Sequence, residues 1–221
     1  MFDSVTIIGS GRVGSAVAAR LRERGLAVGD DGGLVVICVP DDAIAEVAGG
    51  LDVGPWVAHV SGATSLSALR PHRRRFSLHP LQTFTRARGP EQLDGAWGAV
   101  TAEGDEAHAV ATWLAEALGL IPFDLSDDAR TLYHAGAVFA SNYVVTLQRA
   151  ATLLFEAAGA PAQALEPLML GTIENGFELT GPISRGDWTT VGAHRAEIHE
   201  RVPELDHLYE TLAEATVALV T

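Results

Sequence analysis

Short apolar runs alternate with amphipathic segments through the first half of the chain. Residues 5–8 form the first run, and Val13, Val17 and Leu21 then lie on one stripe of an amphipathic helix. Further apolar runs occur at residues 34–39, 56–60, 76–79, 97–102 and 121–125. Buried strands that alternate with helices predict an α/β fold with a parallel sheet.

The pattern changes after residue 125. From Ser126 to about residue 158 there is no proline and apolar residues recur at helical spacing, which predicts one long helix capped by Ser126. Further helices are expected after Pro161 and over residues 204–220. We therefore predict two domains, an α/β domain of residues 1–125 and an all-α domain of residues 126–221.

A glycine-rich turn joins the first predicted strand to the first helix. In Rossmann-type folds the first glycine of such a turn permits a tight bend, the second lets a pyrophosphate approach, and the third lets helix and strand pack closely. The free N–H groups and the positive end of the helix dipole then face the anion. The context predicts a dinucleotide site. Its residues are Gly9, Ser10, Gly11, Arg12, Val13 and Gly14. A tight turn without a ligand is the alternative.

The connection that follows the first helix is unusually short. Asp30 and Asp31 have the spacing of a ribose-binding carboxylate. However, if residues 26–28 were a true parallel strand, residues 29–33 would have to return across the sheet, and five extended residues reach only about 17 Å. We therefore predict an abbreviated second βα unit in which both aspartates are turn residues.

Composition and charge exclude several functions. The 221 residues are 48% apolar, and no apolar run is long enough for a membrane span, so we expect a cytoplasmic protein with a large core. A net charge of −13 disfavours nucleic acid and membrane partners. All fifteen basic residues are arginine, which excludes lysine-dependent chemistry. Cys38, inside an apolar run, is expected to be a buried, inert thiol.

Polar residues follow several predicted strands, where ligands collect in open parallel sheets. Val39, Pro40 and Asp41 are assigned to the cofactor site, although a helix N-cap is the simpler role for Asp41 or Asp42. Ser61 and Gly62 follow the next strand and belong to the same predicted cleft.

Two histidines lie on neighbouring predicted strands. His79 stands at a strand end, where Pro80 is expected to terminate pairing, and is the better ligand candidate. His59 lies in mid-strand and is expected to be a hydrogen-bonded core residue. No metal is predicted, because the spacings of His59, His79 and His134 match no helix-borne metal motif.

The predicted long helix carries a third set of polar residues. At 100° per residue His134 and Ser141 are nearly aligned, and Asn142 lies about 80° away, so one surface can offer all three. His134 is our candidate acid or base. The alternative is a structural histidine whose hydrogen bonds are made within the helix packing. Arg185 is a candidate clamp for a substrate carboxylate, with an ion pair to Asp187 as the alternative.

Six motifs occur in one order along the chain. They are Gly9-Ser10-Gly11-Arg12-Val13-Gly14, Val39-Pro40-Asp41-Asp42, His59-Val60-Ser61-Gly62-Ala63, His79-Pro80-Leu81-Gln82-Thr83-Phe84, Tyr133-His134-Ala135-Gly136 with Ser141-Asn142-Tyr143, and Thr180-Gly181-Pro182 with Arg185-Gly186-Asp187. Together they resemble, over almost the whole chain, the Rossmann-like proteins with an uncharacterised helical C-terminal domain. That family is related to the 6-phosphogluconate dehydrogenase, pyrroline-carboxylate reductase and ketopantoate reductase superfamily. Better-known relatives use a lysine and an asparagine on the long helix, and this chain has no lysine.

The resemblance implies an NAD- or NADP-dependent oxidoreductase whose active site lies between its domains, and a homodimer formed through the helical part. We expect its substrate to be a small carbonyl, imine or hydroxy-acid metabolite. As a hypothesis, Ser61 and Gly62 position the substrate, to which Ser141 and Arg185 also bind. His79 binds a polar group of the substrate, His134 transfers a proton, and Asn142 orients the substrate or the histidine. The alternative is a degenerate Rossmann protein that binds a nucleotide or metabolite without redox catalysis.

Overall fold

The computed structural model describes residues 2–220; Met1 and Thr221, the outer ends of the two predicted domains, lie outside the described residues. A seven-stranded sheet occupies the first part of the chain. Its strands are β1 (Ser4–Ile8), β2 (Ala27–Val28), β3 (Leu34–Ile37), β4 (Trp56–His59), β5 (Arg75–Leu81), β6 (Trp97–Ala102) and β7 (Ile121–Asp124). Their order is β2-β1-β3-β4-β5-β6-β7. Neighbouring strands are parallel except for β5 and β6.

Helices cover both faces of this sheet and form the remainder of the chain. They are α1 (Arg12–Glu23), α2 (Ile44–Gly49), α3 (Asp105–Leu118), α4 (Arg130–Ala140), α5 (Asn142–Ala158), α6 (Leu165–Glu174), α7 (Trp188–Arg201) and α8 (Asp206–Val220). Successive residues of β3 point to opposite faces, so Val36 packs with α1 and α3, whereas Val35 and Ile37 pack with α2. The predicted Rossmann-like α/β fold with a helical C-terminal part is confirmed.

The second βα unit is abbreviated, as predicted, but β2 is a true strand. Ala27 and Val28 pair in parallel with β1, and residues 29–33 then cross the backbone of β1 without a helix. The expectation that this crossing is too long for five residues is wrong. The end of β2 and the start of β3 both lie beside Val5, so the chain need not return along a strand.

A glycine permits this crossing. The N–H of Gly32 donates to Thr6 Oγ1 at 3.0 Å, and a Cβ at Gly32 would overlap the Thr6 nitrogen. Asp30 and Asp31 lie in the bend that precedes Gly32, as expected of turn residues.

Pro80 does not terminate β5, contrary to expectation. The strand continues to Leu81, and Pro80 lies opposite Gly98 of β6, so His79 is within the strand. Proline removes only its own N–H donor, and the residues on either side of it still pair with β6.

The prediction of one long helix from Ser126 is wrong. A 3-10 turn over Asp127–Ala129 comes first, and α4 and α5 are separated at Ser141, whose φ of −127° and ψ of −69° are not helical. Ser141 and Asn142 carry short polar side chains that compete with helical hydrogen bonds, but no proline or glycine marks the break. His134 therefore lies on a different helix from Asn142, and the predicted alignment on one helical surface does not hold.

The chain divides into two compact units between Phe139 and Ala140. The first unit holds the sheet, α1 to α3 and most of α4. The second is helical, and of its described residues only Leu165, Ile198 and Val202 are buried. The domain limit at residue 125 stays a prediction. None of the helices within residues 2–220 combines the length and apolar character needed to cross a membrane.

Candidate functional site

Three connecting segments meet at one edge of the sheet. β1, β3 and β4 are parallel neighbours, so the glycine turn, the segment from Val39 to Asp41, and Ser61 all follow carboxyl ends at that edge. The Ser61 hydroxyl lies 2.8 Å from Asp41 Oδ2, which joins two of the segments. Asp41 is not a helix cap, because the N-cap position of α2 is Ala43 and no side chain bonds there.

Two glycines of the turn are required by its own packing. Gly9 has a φ of +109°, and a Cβ there would lie 2.5 Å from the Cys38 carbonyl oxygen. A Cβ at Gly14 would overlap the carbonyl oxygen of Gly9. Both positions therefore need glycine whether or not a ligand binds.

Gly11 is different, because nothing in the fold demands glycine there. Its φ of −68° is accessible to any residue, and no atom lies within 4 Å of the place a Cβ would occupy. Gly11 is the N-cap residue of α1, no side chain caps this helix, and its first turn has no acidic residue. The start of α1 thus presents N–H groups and the positive dipole end beside open space, and these residues fit an anionic group such as a pyrophosphate.

The other residues of the turn differ in exposure. Ser10 and Arg12 are exposed, and the Ser10 carbonyl accepts a hydrogen bond from the Ser15 hydroxyl at 3.1 Å. Val13 is partly buried against the core between the sheet, α1 and α3. Arg12 is therefore free to reach an anion at the turn, whereas Val13 anchors the helix.

The Ser61 hydroxyl is used within its own loop. It accepts hydrogen bonds from the N–H groups of Ala63 at 3.2 Å and Thr64 at 3.0 Å, and Asp41 Oδ2 and Thr64 Oγ1 lie within 2.9 Å of it. Ser61 is only 7% exposed. A direct bond to substrate would require one of these contacts to break, so Ser61 shapes the loop that presents Gly62.

The beginning of α4 is fastened to the same loop. The Asp127 carboxylate accepts a hydrogen bond from the Ser65 hydroxyl at 2.6 Å. Arg130 is 1% exposed and donates to the Ser61 carbonyl oxygen and, at 2.8 Å, to Thr101 Oγ1. These bonds fix the position of the first turns of α4 above the sheet edge.

Three ring side chains converge over Gly62; we call His79, Tyr133 and His134 the histidine cluster. His79 Nδ1 lies 2.7 Å from the Tyr133 hydroxyl, and the His79 and His134 ring centroids are 6.3 Å apart. A Cβ at Gly62 would lie 2.8 Å from His134 Cδ2 and 3.0 Å from His79 Nε2. Glycine at this position therefore leaves room for both imidazoles, and the predicted pair of His79 and His134 is brought together.

Burial sets the charge of His79 and Tyr133. It lowers the pKa of His79 to about 4, with the nearby His134 and Arg130 acting in the same direction and Asp41 opposing them. Burial also raises the pKa of Tyr133 to about 12. Near pH 7 a neutral imidazole and a neutral phenol therefore share the short hydrogen bond.

His59 and Cys38 are core residues, as predicted. His59 is fully buried, its Nδ1 accepts from the Ser61 N–H at 3.2 Å, and burial lowers its pKa to about 4. Burial raises the pKa of the Cys38 thiol to about 12, so the thiol is protonated and inert. Residues 2–220 contain no group of three histidine, cysteine or acidic side chains arranged to hold a metal ion.

The remaining predicted site residues belong to the second unit. Asn142 is the exposed first residue of α5, and the Ser141 hydroxyl donates to its Oδ1 at 3.4 Å. Arg185 donates to the Thr180 carbonyl oxygen. Asp187 caps α7 by accepting from the Thr190 N–H at 3.1 Å.

Sequence reasoning missed Arg130 and Tyr133. Arg130 and His134 are four residues apart and so share a face of α4, which is a signal that helical spacing could have given. Tyr133 directly precedes His134 in a motif already identified. Their partners, Thr101 and His79, are remote in sequence and could not be read from spacing.

Comparison with known proteins identifies a family and a fold. The profile of the family described as "Domain of unknown function (DUF2520)" matches residues 96–216. A search of the curated proteins found no match.

Several solved structures are similar over nearly the whole chain. A candidate NADP oxidoreductase from Bacteroides fragilis is 21% identical, with 98% of this chain and 98% of that chain covered and a TM-score of 0.82. A Thermotoga maritima protein is 23% identical, with coverages of 98% and 97% and a TM-score of 0.76. A semialdehyde dehydrogenase NAD-binding protein from Cupriavidus necator, in complex with calcium and NAD, is 17% identical, with coverages of 96% and 99% and a TM-score of 0.63. At these identities the likeness establishes the fold.

Proposed function

The chain belongs to the family of the domain of unknown function DUF2520, and on that premise we propose that it is an NAD- or NADP-dependent oxidoreductase. Its substrate in this proposal is a small carbonyl, imine or hydroxy-acid metabolite. Similar folds described as a candidate NADP oxidoreductase and as an NAD complex support the proposal.

The observation that carries the proposal is the open space at Gly11. Gly9 and Gly14 are explained by contacts within the turn, so they are uninformative about a ligand. Gly11 has no such contact, and close approach of a pyrophosphate to the backbone supplies the missing reason for glycine. Arg12, Val39, Pro40 and Asp41 complete the proposed cofactor-binding residues at the same edge.

The histidine cluster supplies the proton chemistry. A bound nicotinamide supplies or accepts the hydride. His79, neutral at pH 7 and held at Nδ1 by Tyr133, donates a hydrogen bond from Nε2 to the substrate's polar group. His134 transfers the proton, and Gly62 leaves the space in which both rings approach the substrate.

Other residues hold or orient these groups. Ser61 maintains the loop that carries Gly62, and Arg130 fixes α4 to that loop. The roles of Ser141, Asn142 and Arg185 in substrate binding stay predictions, with Arg185 suited to a carboxylate.

A substrate panel tests this function. We would follow oxidation of NADH and NADPH by the wild-type protein with small aldehydes, ketones, imines and oxo acids, and reduction of NAD and NADP with hydroxy acids. His134→Ala should abolish the activity found, whereas His207→Ala, which removes an exposed histidine from α8, should retain it. Equal turnover by His134→Ala and wild type would contradict the role of His134.

One observation favours a second candidate function, binding without redox catalysis. β2 has only two residues and no helix follows it before β3, so the region that normally completes an adenosine site is reduced. Saturable binding of a dinucleotide without turnover of any panel member would support this candidate.

We also propose that the second unit forms a homodimer. It has almost no buried residues, and large apolar side chains are exposed along α5 and α6, including Val145, Leu168, Leu170 and Ile173. Exposed apolar surface of this kind is typical of an interface. A second copy of the chain can bury it, because the same patch on both subunits is self-complementary. Light scattering should give twice the chain mass of 23.2 kDa, and the monomer mass would contradict the proposal.

A further inference from the structure

A cavity of about 240 Å³ lies beside the first turns of α1. α1 contributes Arg12 and Ser15 to its lining, and the connection from β5 to β6 contributes Arg86, Arg88 and Gly89. Sites that hold a whole small ligand usually measure roughly 300–1,000 Å³. This cavity is therefore suited to one group of a ligand rather than to a complete dinucleotide.

The lining is strongly positive in an acidic protein. Three of the fifteen arginines face the cavity although the chain has a net charge of −13. Within the described residues neither Arg12 nor Arg86 forms an ion pair. A carboxylate opposes Arg88: Glu91 Oε1 is 3.7 Å from Arg88 Nε and 3.0 Å from the Gly89 nitrogen. Three guanidinium groups and one carboxylate leave a net positive charge at the cavity, and this charge favours an anionic ligand.

The loop that carries two of these arginines, residues 85–89, is built around a buried amide. Gln92 is 1% exposed, and its Oε1 accepts from the Thr85 N–H at 2.8 Å. Its Nε2 donates to the carbonyl oxygens of Arg88 and Gly89, each at 2.9 Å. One buried side chain therefore bonds to the backbone at both ends of the arginine loop.

A second anchor holds the end of this loop against α1. Arg20 is 8% exposed, donates to the Pro90 carbonyl oxygen at 2.9 Å and pairs with Asp94 at 2.7 Å. Because Arg12 and Arg20 lie on the same helix, this anchor holds the arginine loop beside the helix that carries Arg12. Such preorganisation reduces the ordering entropy that a ligand would otherwise have to offset.

We propose that this cavity is a phosphate-binding site formed by Arg12, Arg86 and Arg88. Guanidinium groups bind phosphate oxygens in a bidentate manner, and three of them line this cavity. The phosphate belongs either to the dinucleotide or to a phosphorylated substrate. The dinucleotide source rests on the proposed function, whereas a phosphate site as such does not.

Calorimetric titration with inorganic phosphate, NADPH and NADH tests the site. The double variant Arg86→Ala/Arg88→Ala should bind at least one of these probes about tenfold or more weakly than wild type, because charge-assisted hydrogen bonds are lost. Arg22→Ala is the matched control. Arg22 is an exposed arginine of α1, the helix that also carries Arg12, and it does not line the cavity. The control variant should bind all three probes as wild type does.

The pattern of losses identifies the source of the phosphate. Weakening of NADPH alone points to the 2′-phosphate of the cofactor, and weakening of both dinucleotides points to the pyrophosphate. Weakening of inorganic phosphate with unchanged dinucleotide binding points to a phosphorylated substrate. Each pattern supports the site.

The proposal is overturned if the double variant binds every probe as the Arg22→Ala control does, or if wild type binds none of them. Failure of the proposed function looks different. In that case wild type binds neither NADPH nor NADH, while binding of inorganic phosphate still depends on Arg86 and Arg88.

Discussion

The fold does not require glycine at position 11, so a variant at Gly11 can test ligand binding without changing the fold. The backbone at this position is in an ordinary extended conformation with open space around it, so Gly11→Ala should change the free energy of unfolding by no more than about 1 kcal/mol. The added methyl group would occupy the approach to α1, and we expect NADH and NADPH to bind about tenfold or more weakly. Thermal unfolding and calorimetric titration of one preparation measure both quantities.

Gly14→Ala is the matched control for that variant. Its Cβ would overlap the Gly9 carbonyl oxygen, so it should lower the free energy of unfolding by about 2 kcal/mol. A Gly11→Ala protein that binds dinucleotides as wild type does would mean that the turn is only a structural element.

The charge of His79 is a second prediction at this scale. Its pKa is lowered to about 4, first by burial, so its imidazole should stay neutral at pH 7 and gain its proton only well below the ordinary value of 6.5. NMR titration of the histidine side chains measures this directly. A midpoint near 6.5 would contradict both the burial of His79 and its assigned role as a neutral donor.

How much of the site the sequence predicts depends on where its contacts come from. The end of a strand is a local feature, and it identified Gly62. His79 was selected for the same reason, although β5 continues past it to Leu81. The short bond from His79 to Tyr133 joins residues 54 positions apart, and the bond from Arg130 to Thr101 joins residues 29 positions apart. Such contacts exist only after the strands are ordered in the sheet.

At the scale of elements, the crossing from β2 to β3 requires a residue without a side chain at position 32. A Cβ at Gly32 would overlap the backbone of β1, so Gly32→Ala should lower the free energy of unfolding by about 1–3 kcal/mol. Gly29→Ala lies in the same crossing with no atom near its Cβ and should be nearly neutral. Urea denaturation compares the two, and equal stabilities would contradict the close approach of residues 29–33 to β1.

The elements themselves were predictable where hydrophobic periodicity specifies them. The strands, α1 and the abbreviated second unit follow from that pattern. Whether β2 pairs with β1 depends on the relative register of β1, β2 and β3, which cannot be predicted from one sequence. The break at Ser141 was missed because two polar residues, rather than a proline or glycine, interrupt the helix.

At the scale of the whole molecule, stability should fall on mild acidification. His59 has a pKa of about 4 in the folded protein and an ordinary value of 6.5. The unfolded chain therefore binds more protons between these values, and stability is lost as the pH falls below 6.5. By pH 5 the loss from His59 alone should be about 2 kcal/mol.

His59→Asn isolates this contribution, because an amide oxygen can accept the Ser61 N–H without titrating. Urea denaturation at pH 7 and pH 5 should show a smaller loss of stability in the variant than in wild type. Identical losses in the two proteins would exclude His59 as a source of the pH dependence.

The central claim is that the open end of α1 at Gly11 binds a nicotinamide dinucleotide. Calorimetric titration of the wild-type protein with NADH and NADPH tests it most directly. We predict saturable, micromolar binding of at least one of them. No detectable binding of either would contradict the claim and leave the glycine turn as a structural element alone.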